Sequence, residues 1–70
     1  MKYRILGDIG ECAEIVNESP AGALVEALVE MKYIDEKDKA KEIINCKKKL
    51  KYDDAISPRW IYGVWNVIEL

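Results

Sequence analysis

The sequence predicts a small α+β domain in which a short antiparallel sheet of about three strands carries two helices packed on one face. Three observations predict it: period-two alternation at the start of the chain, two segments with apolar residues at helical spacing, and an aromatic and β-branched run near the end. The predicted order of elements is ββααβ. The 70 residues leave room for a single domain, residues 1–70.

The first two strands are predicted from alternation and glycine. Tyr3, Ile5 and Gly7 alternate with Lys2, Arg4 and Leu6, a nearly period-two pattern that indicates a strand over residues 2–7. Gly7 and Gly10 can both adopt positive φ, so we expect a tight turn and a second short strand over residues 11–16. Apolar residues of that segment also fall at helical spacing, and a helical turn is therefore the alternative there.

Two helices follow. Ser19 can cap a helix N-terminus and Pro20 suits its first position, which predicts a helix over residues 20–32. Asp35 is a second cap candidate and predicts a helix over residues 36–50. The apolar stripes that we expect to face the core are Ala21, Leu24, Val25, Leu28 and Met31 in the first helix, and Ala40, Ile43, Ile44 and Leu50 in the second.

Residues 60–68 form the strongest predicted strand and are apolar on both faces. Read as one continuous strand, this segment places Trp60, Tyr62, Val64 and Ile68 on one face, and Ile61, Trp65 and Val67 on the other. One layer of helices covers only one of these faces. The other face would then be an apolar patch exposed to water, and such patches commonly mark contact sites.

We therefore expect a protein-interaction or regulatory module that acts through this aromatic strand face or edge as a homodimer, or by binding another protein. Self-association also suits a domain of this size, because short chains bury too little surface to be very stable alone. The expected contact residues are Trp60, Tyr62, Trp65 and Val67. In the alternative, residues 52–58 fold across the strand and both tryptophans belong to the core.

The residue types argue against an enzyme. The chain has no histidine, which removes the commonest general base. Asp53 and Asp54 point in opposite directions if the segment is extended, so a solvated turn explains them better than a catalytic pair. Two cysteines without histidine fall short of a structural zinc site, and we expect no metal and no cofactor.

Charge is unevenly distributed and suggests two further hypotheses. Residues 1–36 hold three cations and eight carboxylates, whereas residues 37–70 hold eight cations and five carboxylates. In the first hypothesis, a basic cluster binds single-stranded nucleic acid or phosphate, with Trp60 or Tyr62 stacking on a base; the cluster comprises Lys47, Lys48, Lys49, Lys51 and Arg59. In the second hypothesis, the acidic half makes the chain an inhibitor of a nucleic-acid-binding protein.

Neither a secretory signal nor an apolar run of about 18 residues occurs in the sequence. We therefore expect a cytoplasmic protein that has no membrane partner and keeps Cys12 and Cys46 reduced.

Overall fold

A computed structural model, which describes residues 1–70, contains a five-stranded antiparallel sheet and two helices. The predicted α+β class, with two helices and an antiparallel sheet, is confirmed. The predicted number of about three strands and the order ββααβ are wrong, because two more strands follow the helices. The strands are β1 (Lys2–Leu6), β2 (Cys12–Val16), β3 (Lys51–Asp53), β4 (Arg59–Tyr62) and β5 (Trp65–Glu69), and their order across the sheet is β2-β1-β5-β4-β3.

The first two strands form a hairpin, so the segment read as either a strand or a helical turn is a strand. The loop of residues 8–10 is closed by a hydrogen bond of 2.9 Å from the Gly7 N–H to the Glu11 carbonyl oxygen. Gly10 has a φ of 90°, as predicted from its sequence position. A glycine in this conformation at the end of a three-residue loop is common in hairpins. Gly7 does not have positive φ, and its role is different.

Helix α1 spans Pro20–Glu30 and begins as predicted. The Ser19 hydroxyl oxygen accepts a hydrogen bond of 3.0 Å from the Gly22 N–H, and Pro20 occupies the first turn. The helix ends two residues earlier than predicted, because Lys32 adopts a φ of 70° and the Tyr33 N–H donates to the Leu28 carbonyl oxygen. This is the hydrogen-bond pattern of a left-handed C-terminal cap, formed here by lysine in place of the usual glycine.

Helix α2 spans Lys39–Lys49, and a short 3-10 helix, Glu36–Asp38, precedes it. The predicted helix over residues 36–50 therefore begins three residues too early, and Asp35 makes no side-chain capping hydrogen bond. The apolar stripe also differs from the prediction, because Ile44 is 58% exposed while Cys46 is buried. Ile43 and Leu50 pack against the core as predicted, together with Cys46, whereas Ala40 is exposed like Ile44.

The predicted single strand over residues 60–68 is wrong, because the chain reverses within it. Strands β4 and β5 form a hairpin in which Tyr62 pairs with Trp65 and only Gly63 and Val64 lie between them. Gly63 has a φ of 58° and Val64 does not have positive φ. Positive φ at the first of two loop residues defines a type II′ turn, whose twist suits an antiparallel hairpin.

The core lies between the sheet and the helices, which share one side of it. Tyr3, Ile5 and Val67 are essentially inaccessible to solvent, and they pack with buried residues of α1 in one cluster. Helix α1 packs across β2, β1 and β5, and α2 packs mainly against α1. Strands β4 and β3 therefore extend beyond the main helical cover. Neither helix has the length and hydropathy needed to cross a membrane.

Gly7 provides space for the ring of Trp65. A Cβ atom added at Gly7 would lie 2.7 Å from Cζ3 of Trp65 and would also collide with the Glu11 carboxylate. The ring of Tyr33 packs edge-on against Trp65 with 5.6 Å between centroids, and the Tyr33 hydroxyl donates a hydrogen bond to Glu11. This hydrogen bond raises the pKa of Tyr33 above its ordinary value. Trp65 thus lies between the glycine that follows β1 and a residue that follows the C-terminal cap of α1.

We predict that Gly7→Ala destabilises the domain by about 1–3 kcal/mol, the cost of overpacking a filled site. Backbone flexibility alone predicts that Gly7→Ala stabilises the domain, because alanine loses less conformational entropy than glycine on folding. The measurement is urea unfolding followed by tryptophan fluorescence.

The matched control is Gly10→Asn in the same hairpin. An added Cβ at Gly10 has no atom within 4 Å, and asparagine tolerates positive φ. We expect its free energy of unfolding to change by less than about 1 kcal/mol. An unchanged or higher stability of Gly7→Ala would contradict the packing described for Trp65.

Candidate functional site

The turn at Gly63 decides where the predicted contact residues lie. Directly paired residues of an antiparallel sheet share a face, and the register pairs Trp60 with Val67 and Tyr62 with Trp65. Val67 also pairs with the buried Ile5. All four predicted contact residues therefore lie on the helix-facing side of the sheet. The face assignment made for a continuous strand, with the two tryptophans on opposite sides, is wrong because two turn residues interrupt the alternation.

Two of the four residues are held within the fold. Val67 has no exposed surface and is a core residue. Trp65 is half-buried between Gly7 and Tyr33. A partner could reach only part of its ring without moving Tyr33.

The other two residues belong to a surface that we call the aromatic shelf, formed by Tyr52, Trp60 and Tyr62 on the helix-facing side of β3 and β4. Tyr52 pairs with Trp60 across the strands, and their rings meet edge to face with 5.2 Å between centroids. The opposite side of Trp60 meets the ring of Tyr3, at 6.1 Å between centroids. Trp60 and Tyr62 are half-buried, and Tyr52 is 55% exposed. The shelf therefore continues the core outward to solvent.

Tyr52 is the shelf residue that was not predicted from the sequence. Residues 52–58 entered the prediction only as a segment that could fold across the last strand, but Lys51–Asp53 form β3 directly after α2. The available signal was the alternation of Leu50 and Tyr52 with charged residues. Three residues are too few for such a pattern to stand out from a turn.

The basic residues proposed for nucleic-acid binding do not share a surface with the stacking candidates. Lys51 and Arg59 pair with Ile61 and Asp53 on the side of the sheet that faces away from the helices. Trp60 and Tyr62 lie on the helix-facing side. Lys47, Lys48 and Lys49 are exposed on the last turn of α2.

Arg59 is held in place by its own neighbours. Its Nε donates to Oδ1 of Asn66 at 3.1 Å, its Nη1 donates to the carbonyl oxygen of Ser57, and its Nη2 lies 3.8 Å from the Asp53 carboxylate. A phosphate would have to displace these contacts. Asp53 in turn accepts a hydrogen bond from the Ala55 N–H, so it forms part of a turn that begins the loop after β3.

The rest of the surface offers one hollow and no cluster of metal ligands. A hollow of about 390 Å³ is lined mostly by polar residues that follow α1 or precede and begin α2: Lys32, Tyr33, Ile34, Asp35, Asp38 and Glu42. No group of three histidine, cysteine or acidic side chains is arranged to hold a metal ion.

Neither a protein-family model nor a curated protein nor a solved structure matches the chain.

The two cysteines differ in environment and give a test of the packing of α2. Both are free thiols; Cys12 is exposed on β2, while Cys46 is buried on the core-facing side of α2. Burial, with a smaller effect of Glu42, raises the pKa of Cys46 to about 11. Cys46 is thus a thiol, not a thiolate, at neutral pH, and thiolates are the reactive form.

We predict that a thiol reagent modifies one cysteine rapidly in the native protein at pH 8 and both in denaturant. Cys12→Ser should abolish the fast reaction, and Cys46→Ala should leave it unchanged. Equal rates for the two native thiols would show that α2 does not cover Cys46 as described.

Proposed function

We propose that this chain is a protein-interaction module that forms a homodimer through the aromatic shelf of Tyr52, Trp60 and Tyr62. The observation that carries the proposal is the exposure of Tyr52 together with the partial exposure of the two residues beside it. Tryptophan and tyrosine are enriched among the residues that contribute most to binding at protein interfaces. A second copy covering the shelf would remove these rings from water.

The size of the core supports self-association. Only 12 of the 70 residues are buried, and the two cysteines form no disulfide. Domains of this length commonly obtain additional stability from a cross-link, a metal or a second subunit. An isologous dimer would extend the core through Trp60, which already contacts the buried Tyr3.

Strand β3 forms the edge of the sheet beside the aromatic shelf, and its sequence favours a dimer through the shelf over one in which the β3 strands of two copies pair. Strand β3 has three residues, two of them charged, and Asp53 is engaged with Arg59 and the Ala55 N–H. Short, charged edge strands are poor templates for adding another strand. The exposed rings are therefore the better contact.

Single-stranded nucleic-acid binding is the second candidate. The observation that favours it is that Lys47, Lys48 and Lys49 are exposed and form no ion pair, and that Tyr52 follows them closely in the chain. The separation of Lys51 and Arg59 from the shelf makes this proposal weaker than dimerisation.

We predict that the wild-type protein sediments as a dimer at tens of micromolar and that Tyr52→Lys weakens dimerisation by at least about tenfold, the effect of removing an aromatic anchor. Sedimentation velocity over a range of concentrations measures this. Because Tyr52 is more than half exposed, its replacement should leave the circular dichroism spectrum unchanged.

The matched control is Ile44→Lys on α2. Ile44 is 58% exposed, so the variant makes the same change from an apolar to a charged side chain at similar exposure. It should dimerise like the wild type. A wild-type protein that is monomeric at every concentration would refute the proposal, and so would a Tyr52→Lys variant that dimerises normally.

A further inference from the structure

The side of the sheet that faces away from the helices carries a second surface, distinct from the aromatic shelf. Because Tyr3 and Ile5 of β1 face the helices, the residues that alternate with them face away. The register then aligns this open face in two rows across the strands. One row runs Glu14, Arg4, Ile68, Arg59, Asp53, and the other runs Cys12, Leu6, Asn66, Ile61, Lys51.

The centre of the open face is apolar. Leu6, Ile61 and Ile68 lie on the three central strands around Asn66, and each is partly exposed. Neighbouring strands lie about 4.8 Å apart, so this apolar centre is about 10 Å wide from β1 to β4. That width matches the diameter of one α-helix with its side chains, about 10–12 Å.

Cations flank this apolar centre on both sides. Lys2 and Arg4 lie on β1, Arg59 on β4 and Lys51 on β3. The same face carries two carboxylates, Glu14 and Asp53. Four cations and two carboxylates make the open face net positive, although the chain as a whole carries −2. Lys51 has no carboxylate partner.

These features select one kind of occupant. Packing two copies open face to open face would bring together two surfaces of net positive charge, which costs binding energy. Single-stranded nucleic acid binds by stacking on aromatic rings, and the two rows contain none. An amphipathic helix with acidic flanks would place apolar side chains on Leu6, Ile61 and Ile68 and its carboxylates beside the cations.

We propose that the open face of the sheet binds an acidic amphipathic helix of another protein, which lies along β5 between the cations of β1 and those of β3 and β4. Leu6, Ile61 and Ile68 form the apolar contact. Lys51, which has no carboxylate partner, and the net positive charge of the face set the preference for acidic flanks. The proposal does not rest on dimerisation, because the aromatic shelf lies on the opposite side of the sheet.

The test uses a synthetic peptide of about 18 residues, five helical turns, with leucine at helical spacing and glutamate at most other positions. The peptide is titrated into the ¹⁵N-labelled full chain, and amide shifts are followed by NMR. We expect saturable shifts in β1, β4 and β5. The affinity for the peptide should fall as the salt concentration rises from about 0.05 M to 0.5 M.

Two variants with the same change in charge distinguish binding at the open face from an effect of the overall charge of the chain. Lys51→Glu should weaken peptide binding by about fivefold or more, the effect expected for a charge pair of about 1 kcal/mol. Lys37 lies on the exposed 3-10 helix before α2, and the Lys37→Glu variant should bind the peptide like the wild type. Equal weakening by both variants would overturn the proposal.

Three comparisons complete the test. The proposal would be overturned if a peptide with lysine in place of glutamate shifted the same amides as strongly. It would also be overturned if a thymidine oligonucleotide did so, or if the acidic peptide caused no shifts. The Tyr52→Lys variant should bind the acidic peptide as the wild type does. This last result would hold even if dimerisation through the aromatic shelf failed its own test, so the two proposals can fail separately.

Discussion

The two-residue turn at Gly63 and Val64 is the constraint on which the arrangement of this surface depends. It pairs Tyr62 with Trp65 and Trp60 with Val67, and so brings the aromatic side chains of both strands to the helix-facing side. A continuous strand over the same residues would separate the two tryptophans across the sheet. The positive φ of Gly63 is therefore linked to the position of Trp60, the half-buried ring that joins Tyr3 to Tyr52.

Helical coverage then gives the two sides of the sheet different chemistry. Helix α1 packs over β2, β1 and β5, which encloses Val67 and leaves the aromatic residues of β4 and β3 at the margin. The opposite side has no helical cover, and there the apolar centre is bordered by arginine and lysine. Glu14 lies between Lys2 and Arg4, and its hydrogen bond with Arg4 and its contacts with Lys2 hold the pKa of its carboxyl group below the ordinary value. The two proposed contacts, between the aromatic shelves of two copies and with an acidic helix, thus use opposite sides of the sheet.

Local signals predicted the first half of the fold well. Ser19 with Pro20 identified the start of α1, and Gly10 marked the first hairpin, because capping and positive φ depend on neighbouring residues. The second half depended on tertiary context. A single glycine among aromatic and β-branched residues does not reveal a reversal, since glycine also occurs within strands. The end of α1 was placed too late because lysine rarely adopts the left-handed conformation that Lys32 has here. Of the candidate site, Trp60 and Tyr62 were identified from residue type, whereas Tyr52 and the open face required the register.

The most direct test of this account is the nuclear Overhauser pattern of residues 59–69 in the wild-type protein. The hairpin predicts cross-strand contacts between backbone protons of Trp60 and Val67, which are paired, and between the ring of Trp60 and that of Tyr3. In a continuous strand Trp60 and Val67 would lie about 23 Å apart, seven residues at about 3.3 Å each, and no such contact could form. Uninterrupted extended connectivities through Gly63, with no contact between Trp60 and Val67, would contradict the arrangement from which both surfaces are derived.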